Sequence, residues 1–264
     1  MLALPCASLL VTAAGIAALT NARLTLEKRI SFPEMLELIG ASWLLNFLPL
    51  SPGLFGRIAY QRARHGVSLR DSATVVVESV VLSWLAAAIA VLVIVVPMGR
   101  LLDAFSAIVV LSLLIGGLAL YRPIGRDSLA AARCFVLALK LVDQCIWTAR
   151  YLVVFRVLGW HATPSEACVI AALAQTAMLI PFIGNGLGIR EWAVGLVATQ
   201  IPAWIKGPDA ADTTLTVALS ADLLNRAFEV MVALPIGFLC LWRLKTRVLA
   251  ARDGQPHRIA AQKP

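Results

Sequence analysis

The sequence predicts an all-α polytopic membrane protein: a helical bundle of inverted repeats with two re-entrant broken-helix hairpins. Three observations carry that expectation. Hydrophobic residues make up 60% of the 264-residue chain and charged residues only 14%. Two of its apolar blocks are broken near the middle by proline and glycine. Its lysines and arginines gather in the gaps between apolar blocks, as the positive-inside rule requires.

A spanning helix needs about 20 apolar residues. The first candidate is 2–20. It has no charged n-region, and its basic residues follow it (Arg23, Lys28, Arg29), so it reads as a retained helix, not a cleaved signal. Further candidates are 72–98, 103–121, 134–157 and 213–242. Two more apolar regions, 35–63 and 165–204, are interrupted. The first break reads Asn46-Phe-Leu-Pro-Leu-Ser-Pro-Gly-Leu-Phe-Gly-Arg57, the second Pro181-Phe-Ile-Gly-Asn-Gly-Leu-Gly-Ile-Arg-Glu191. Proline removes a backbone donor, and each interior glycine costs about 1 kcal/mol against alanine, so neither region supports a smooth helix. Irregular backbone at membrane depth is tolerated only where protein buries it or it lines a wet cavity.

The two breaks correspond. Each has a proline (Pro49, Pro181), a glycine-rich turn, and an arginine eight or nine residues after that proline (Arg57, Arg190). Paired interrupted segments point to an inverted-repeat transporter. If both regions are hairpins that enter and leave on one side, then 21–34, 57–71, 122–133 and 243–264 share a side. Those segments hold 16 of the 23 Lys and Arg, which makes that side cytoplasmic. Arg150 and Arg156 fit this assignment less well. One transmembrane domain, 1–242, follows, with repeat one about 1–121, repeat two about 134–242, and a basic cytoplasmic tail, 243–264.

An ionisable residue inside the membrane is a functional candidate by default, because its insertion costs about 2.5–3.5 kcal/mol. The candidates are Arg57, Glu78, Lys140, Asp143, Arg190, Glu191, Asp222, Arg226 and Glu229. Asp222 with Arg226 and Lys140 with Asp143 have the spacing of pairs along one helix face. For Lys140–Asp143 and Glu229, self-neutralising structural pairs are the preferred reading. Arg57 and Arg190 are harder to explain structurally. Each begins a returning half-helix, where the dipole already disfavours a cation, so each implies an anionic partner. Free N–H groups and a guanidinium fork suit phosphate. Glu191 is equally good as a helix cap.

Several classes are excluded. Gly184-Asn-Gly186-Leu-Gly188 fails the dinucleotide fingerprint because Ile189 stands at its third glycine position, and no Gly-Lys-Ser/Thr follows. Five scattered cysteines and three separated histidines give no metal or cofactor site. The net charge of +8 lies in membrane-flanking loops, which argues against nucleic acid.

The chain resembles the flippase-like transmembrane region of the lysylphosphatidylglycerol synthase family, also found in multiple peptide resistance factors. The resemblance rests on Asn46, Pro49, Gly53, Gly56 and Arg57, Glu78 after a short basic loop, then Pro181, Gly184, Gly186, Gly188, Arg190 and Glu191, and Arg226 in the last helix. It covers roughly 20–242. The family's further N-terminal helix and its aminoacyl-transferase domain have no counterpart here, so no lipid synthesis is expected. The resemblance implies a flippase or transporter moving a phospholipid or polyprenyl-linked lipid between leaflets of a prokaryotic cytoplasmic membrane, with the C-terminus cytoplasmic. It implies no enzyme activity. The expected headgroup site is Asn46, Gly53, Gly56, Arg57, Glu78, Asp143, Gly184, Gly186, Gly188, Arg190, Glu191, Asp222 and Arg226. Expected partners are membrane lipids with anionic phosphate headgroups; a separate lipid-modifying enzyme and self-association stay open. The alternatives are a secondary transporter of a small anionic solute and a non-catalytic partner of a lipid-modifying enzyme.

Overall fold

The computed structural model describes residues 1–25, 28–95, 117, 128–178, 188–206 and 215–253. They form eight α-helices and no strand: α1 (Ala3–Asn21), α2 (Phe32–Leu45), α3 (Pro52–His65), α4 (Leu69–Val95), α5 (Leu129–Val157), α6 (Pro164–Met178), α7 (Ile189–Lys206) and α8 (Leu215–Asp253). Three of them, Ala3–Asn21, Leu69–Leu92 and Leu215–Arg247, are long and apolar enough to cross a membrane. With 29 residues α5 is also long enough, at about 43 Å. It is less apolar because Arg133, Lys140, Asp143, Arg150 and Arg156 recur along it.

Local chemistry sets the helix ends. Pro33 occupies the first turn of α2 beside Glu34, and Pro52 starts α3. A left-handed Gly66 (φ 64°) stops α3 behind a last turn of Arg62, Arg64 and His65. Thr163 and Glu166 bond reciprocally to each other's backbone N–H, a capping box that starts α6.

Both interrupted regions are pairs of short helices. In the first, α2 and α3 fold back on each other, and Glu34 at the start of α2 meets Tyr60, Arg64 and His65 at the end of α3. The turn between them places Leu50 (φ 65°) and Ser51 (φ 45°) in the left-handed region, at roughly 1–2 kcal/mol each. In the second, α6 and α7 flank a tip at 179–187 that lies outside the described residues, as does most of the expected helix 103–121.

Two expectations about extent change. The helix predicted over 213–242 runs on to Asp253, so the basic segment drawn as a tail from 243 begins as helix. It stays helical because Arg247 and Arg243 reach Glu37 of α2, at 3.0 and 3.9 Å. The helix predicted over 134–157 starts earlier, at Leu129, where Ser128 caps it.

Apolar packing falls into two clusters. One joins α1, α2 and the C-terminal part of α8, around Leu9, Leu19, Met35, Leu38 and Leu244. The other joins the second half of α5 to α6, α7 and the start of α8, around Tyr151, Phe155, Ile170 and Val194. Reciprocal glycines bring α2 and α8 close. A Cβ on Gly40 would stand 2.7 Å from the Cys240 sulfur, and one on Gly237 2.4 Å from Leu44 Cβ. Small residues at helix contacts are how membrane helices gain packing energy when lipid is as apolar as their side chains.

The surface completes the membrane pattern. Val77, Val81, Trp84, Leu92, Phe238 and Trp242 are exposed, while Asp143, Arg150, Arg190, Asp222 and Glu229 are buried. Apolar residues outside and charges inside invert the arrangement of a water-soluble protein.

Candidate functional site

Polar residues recur at helical spacing on α5 and α8, and that spacing aims them at each other. On α5 they are Lys140, Asp143, Gln144, Trp147, Arg150 and Tyr151; on α8, Asp222, Asn225, Arg226 and Glu229.

Two layers result. The inner layer is an ion network. Arg190, fully buried at the start of α7, bonds Asp222 at 2.9 Å and Glu229 at 3.2 Å. Arg150 takes the other oxygen of Glu229 at 2.6 Å and Asn225 at 3.0 Å. The Tyr151 hydroxyl donates to Asp222. Trp147 lies beside both guanidiniums, 4.3 Å from Arg150 and 5.3 Å from Arg190. Every charge in this layer has an opposite partner, as burial at such depth requires.

The second layer is a cavity of about 290 Å³, walled by α1, α2, α3, α4, α5, α6 and α8. Arg57, Lys140, Asp143, Arg150 and Glu229 line it, with Ser8, Ser42, Asn46, Trp147 and Gln175 among its other walls. Asp143 accepts from Ser8, and Glu229 is held by the two arginines. Arg57 and Lys140 are different. Neither makes a hydrogen bond or ion pair among the described residues, and the Arg57 Nε is shielded from solvent without a partner. Lys140 feels the attraction of Asp143, without a direct bond to it, and more weakly the repulsion of Arg57. Cavity and network together hold four cations (Arg57, Lys140, Arg150, Arg190) and three carboxylates (Asp143, Asp222, Glu229). One positive charge is left over, on the cavity side.

The expected site residues divide accordingly. Asn46, Arg57 and Asp143 line the cavity. Arg190 and Asp222 belong to the network behind it. Glu191 caps α7, accepting the Gly188 N–H at 2.6 Å, and its other oxygen takes Arg226 at 2.8 Å. Gly188 has φ 87° at that cap, a conformation that favours glycine. Arg226 also stands 6.0 Å from the Phe47 ring, so the turn after α2 and the start of α7 approach one another there. Gly53 is a packing residue: a Cβ would come within 2.2 Å of the Ser42 carbonyl oxygen and 2.6 Å of Asn46 Oδ1. Gly56 is exposed, with nothing within 4 Å of its Cβ position. Glu78 lies elsewhere, bonded at 2.6 Å to both Arg23 and Arg133. Gly184 and Gly186 lie outside the described residues.

The pairs expected along single helices form between helices instead. Consecutive Arg190 and Glu191 on α7 bond Asp222 and Arg226, one turn apart on α8. Lys140 and Asp143 do not pair directly. An interhelical pair wins because each side chain points from its helix into the shared interior.

No protein-family model, no curated protein and no solved structure matches the chain. The functional argument therefore rests on the cavity. Sequence reasoning set aside Lys140 and Glu229 as structural and left out Arg150, Trp147 and Asn225. Their signal was present: 140, 143, 147 and 150, like 222, 225/226 and 229, mark one face of each helix. No metal-ligating cluster occurs among the described residues.

Proposed function

We propose that the protein is a lipid flippase or lipid transporter, and that the cavity receives the phosphate of a lipid headgroup between Arg57 and Lys140. One observation carries this reading: two cations line one cavity inside a bundle of apolar-surfaced helices, and among the described residues neither makes an ion pair with a carboxylate. An isolated charge there is costly, and a phosphate between the two would cancel both the repulsion and the leftover charge. Arg57 offers a planar fork, Lys140 a mobile point charge, and the Asn46 amide a further donor. Arg190, given a phosphate role by the sequence, would act through Glu229 at the cavity wall, whose charge it and Arg150 offset.

The inverted-repeat arrangement extends the proposal. α2–α3 and α6–α7 would be re-entrant pairs from opposite faces of a prokaryotic cytoplasmic membrane, with the C-terminus cytoplasmic. The turn after α2 and the start of α7 would meet near Arg226, bringing the headgroup to mid-bilayer. Identification of the lipid that co-purifies with the protein tests the reading. A phosphate-bearing lipid retained by the wild type and lost from Arg57→Ala supports it. Equal lipid content in both proteins contradicts it.

A further inference from the structure

A second hollow, of about 380 Å³, lies between α4 and α6, lined by Trp84, Ala87, Ala88, Val91, Val169, Ala172, Leu173 and Thr176. Its walls are apolar. The one hydroxyl among them is already used, since Thr176 Oγ1 donates to the Ala172 carbonyl at 2.8 Å. Three alanines make the space, where bulkier side chains would close the two helices on each other.

The hollow and the polar cavity meet α4 and α6 at neighbouring positions, though they share no lining residue. On α4, Ser83 lines the cavity and Trp84 the hollow; on α6, Gln175 and Met178 line the cavity and Thr176 the hollow. Away from those positions the lining runs up α4 from 84 to 91 and down α6 from 176 to 169. That opposite sense is what antiparallel neighbours produce. The hollow is thus a groove of about 10 Å, at 1.5 Å per residue, on the outer side of two neighbouring helices, with one end level with the charged chamber. Trp84 is half exposed beside its mouth, and Val77, Val81 and Leu85 on the same helix are exposed as well.

We propose that this groove holds an acyl chain of the same lipid whose phosphate sits between Arg57 and Lys140. The inference rests on the headgroup reading above and specifies the cargo: a chain-bearing amphiphile entering sideways from the bilayer. A small anion would use the charged chamber and leave a neighbouring apolar groove without purpose. A lipid needs both, side by side, with the polar end at Arg57. With the basic loops cytoplasmic, 91 and 169 lie toward the outer face, so the groove serves the outer half of the bilayer.

The test uses the full chain in proteoliposomes containing phosphatidylglycerol with a photoreactive group midway along one acyl chain. Labelling is mapped by peptide at 84–91 and 169–176, with the exposed face of α8 at Phe238 and Trp242 as the reference for bulk lipid. If headgroup and chain bind as one ligand, Arg57→Ala lowers groove labelling at least about tenfold, the loss of one charge-assisted hydrogen bond, and leaves the α8 reference unchanged. Groove labelling equal in wild type and Arg57→Ala would mean that bulk lipid merely wets the groove, and would overturn the proposal. A parallel measurement separates this from failure of the headgroup reading: the melting temperature of detergent-solubilised protein with inorganic phosphate. Stabilisation of wild type but not of Arg57→Ala keeps the headgroup site whatever the labelling shows. Absence of stabilisation in both removes the headgroup site and the groove proposal with it.

Discussion

At the scale of single residues, Arg57 and Arg190 come from corresponding breaks yet sit in opposite circumstances. Arg190 is enclosed by Asp222 and Glu229, so Arg190→Ala leaves two buried carboxylates short of a cation. A destabilisation of about 3–5 kcal/mol is expected, read as a large fall in melting temperature. Arg57→Ala removes a charge that has no partner among the described residues and relieves Lys140, so its melting temperature should hold or rise. A comparable loss in both variants would show that Arg57 has an unrecognised structural anion. At the base of the α2–α3 pair, burial opposes the Glu34 carboxylate, yet hydrogen bonds from Tyr60 and His65 hold its carboxyl below the ordinary value of 4.5. Burial and the Glu34 contact likewise push the Tyr60 hydroxyl up to about 12. A depressed carboxyl stabilises at neutral pH and loses that contribution as pH falls through its folded value, below 4.5. Wild type should therefore lose melting temperature faster than Glu34→Gln on acidification over that range; parallel curves would remove the role of Glu34 at the base of α2 and α3.

At the scale of elements, the two glycines of the first break should behave differently. Gly53→Ala drives a methyl into the Ser42 carbonyl and should cost about 1–3 kcal/mol, while Gly56→Ala meets nothing and should gain up to about 1 kcal/mol of helix propensity. Thermal unfolding of the two variants decides it; equal effects would mean that the turn relaxes around position 53. This contrast also shows how far the sequence could be read. Prolines and glycines located both interruptions, because a broken helix leaves a local signature. Which glycine serves close packing is a tertiary fact, fixed by how α3 returns onto Ser42. The same holds for charge pairs. Spacing brought Asp222 near Arg226, but the partners are on α7, since burial rewards the pair that closes an interface. Lys140 and Asp143 attract one another as their spacing suggests, but without a direct bond, and Ser8, from a distant part of the chain, donates to the carboxylate.

At the scale of the whole molecule, orientation follows from charge. A single cysteine near Gly254 in a cysteine-free background should be shielded from an impermeant reagent on intact cells, and one near Asp209 should be labelled. Reversed labelling overturns the orientation, and with it the leaflet assigned to the α4–α6 groove. The central claim is that Arg57 and Lys140 carry a headgroup phosphate across. Its most direct measurement is the appearance of a headgroup-labelled phospholipid in the opposite leaflet of proteoliposomes, with melting temperature taken on the same preparations. Arg57→Ala and Lys140→Met should each slow transfer at least about tenfold while remaining folded, Arg57→Lys should recover part of the rate, and the double variant should be no worse than the poorer single one, since both serve one phosphate. Transfer at the wild-type rate by a stable Arg57→Ala protein would contradict the assignment.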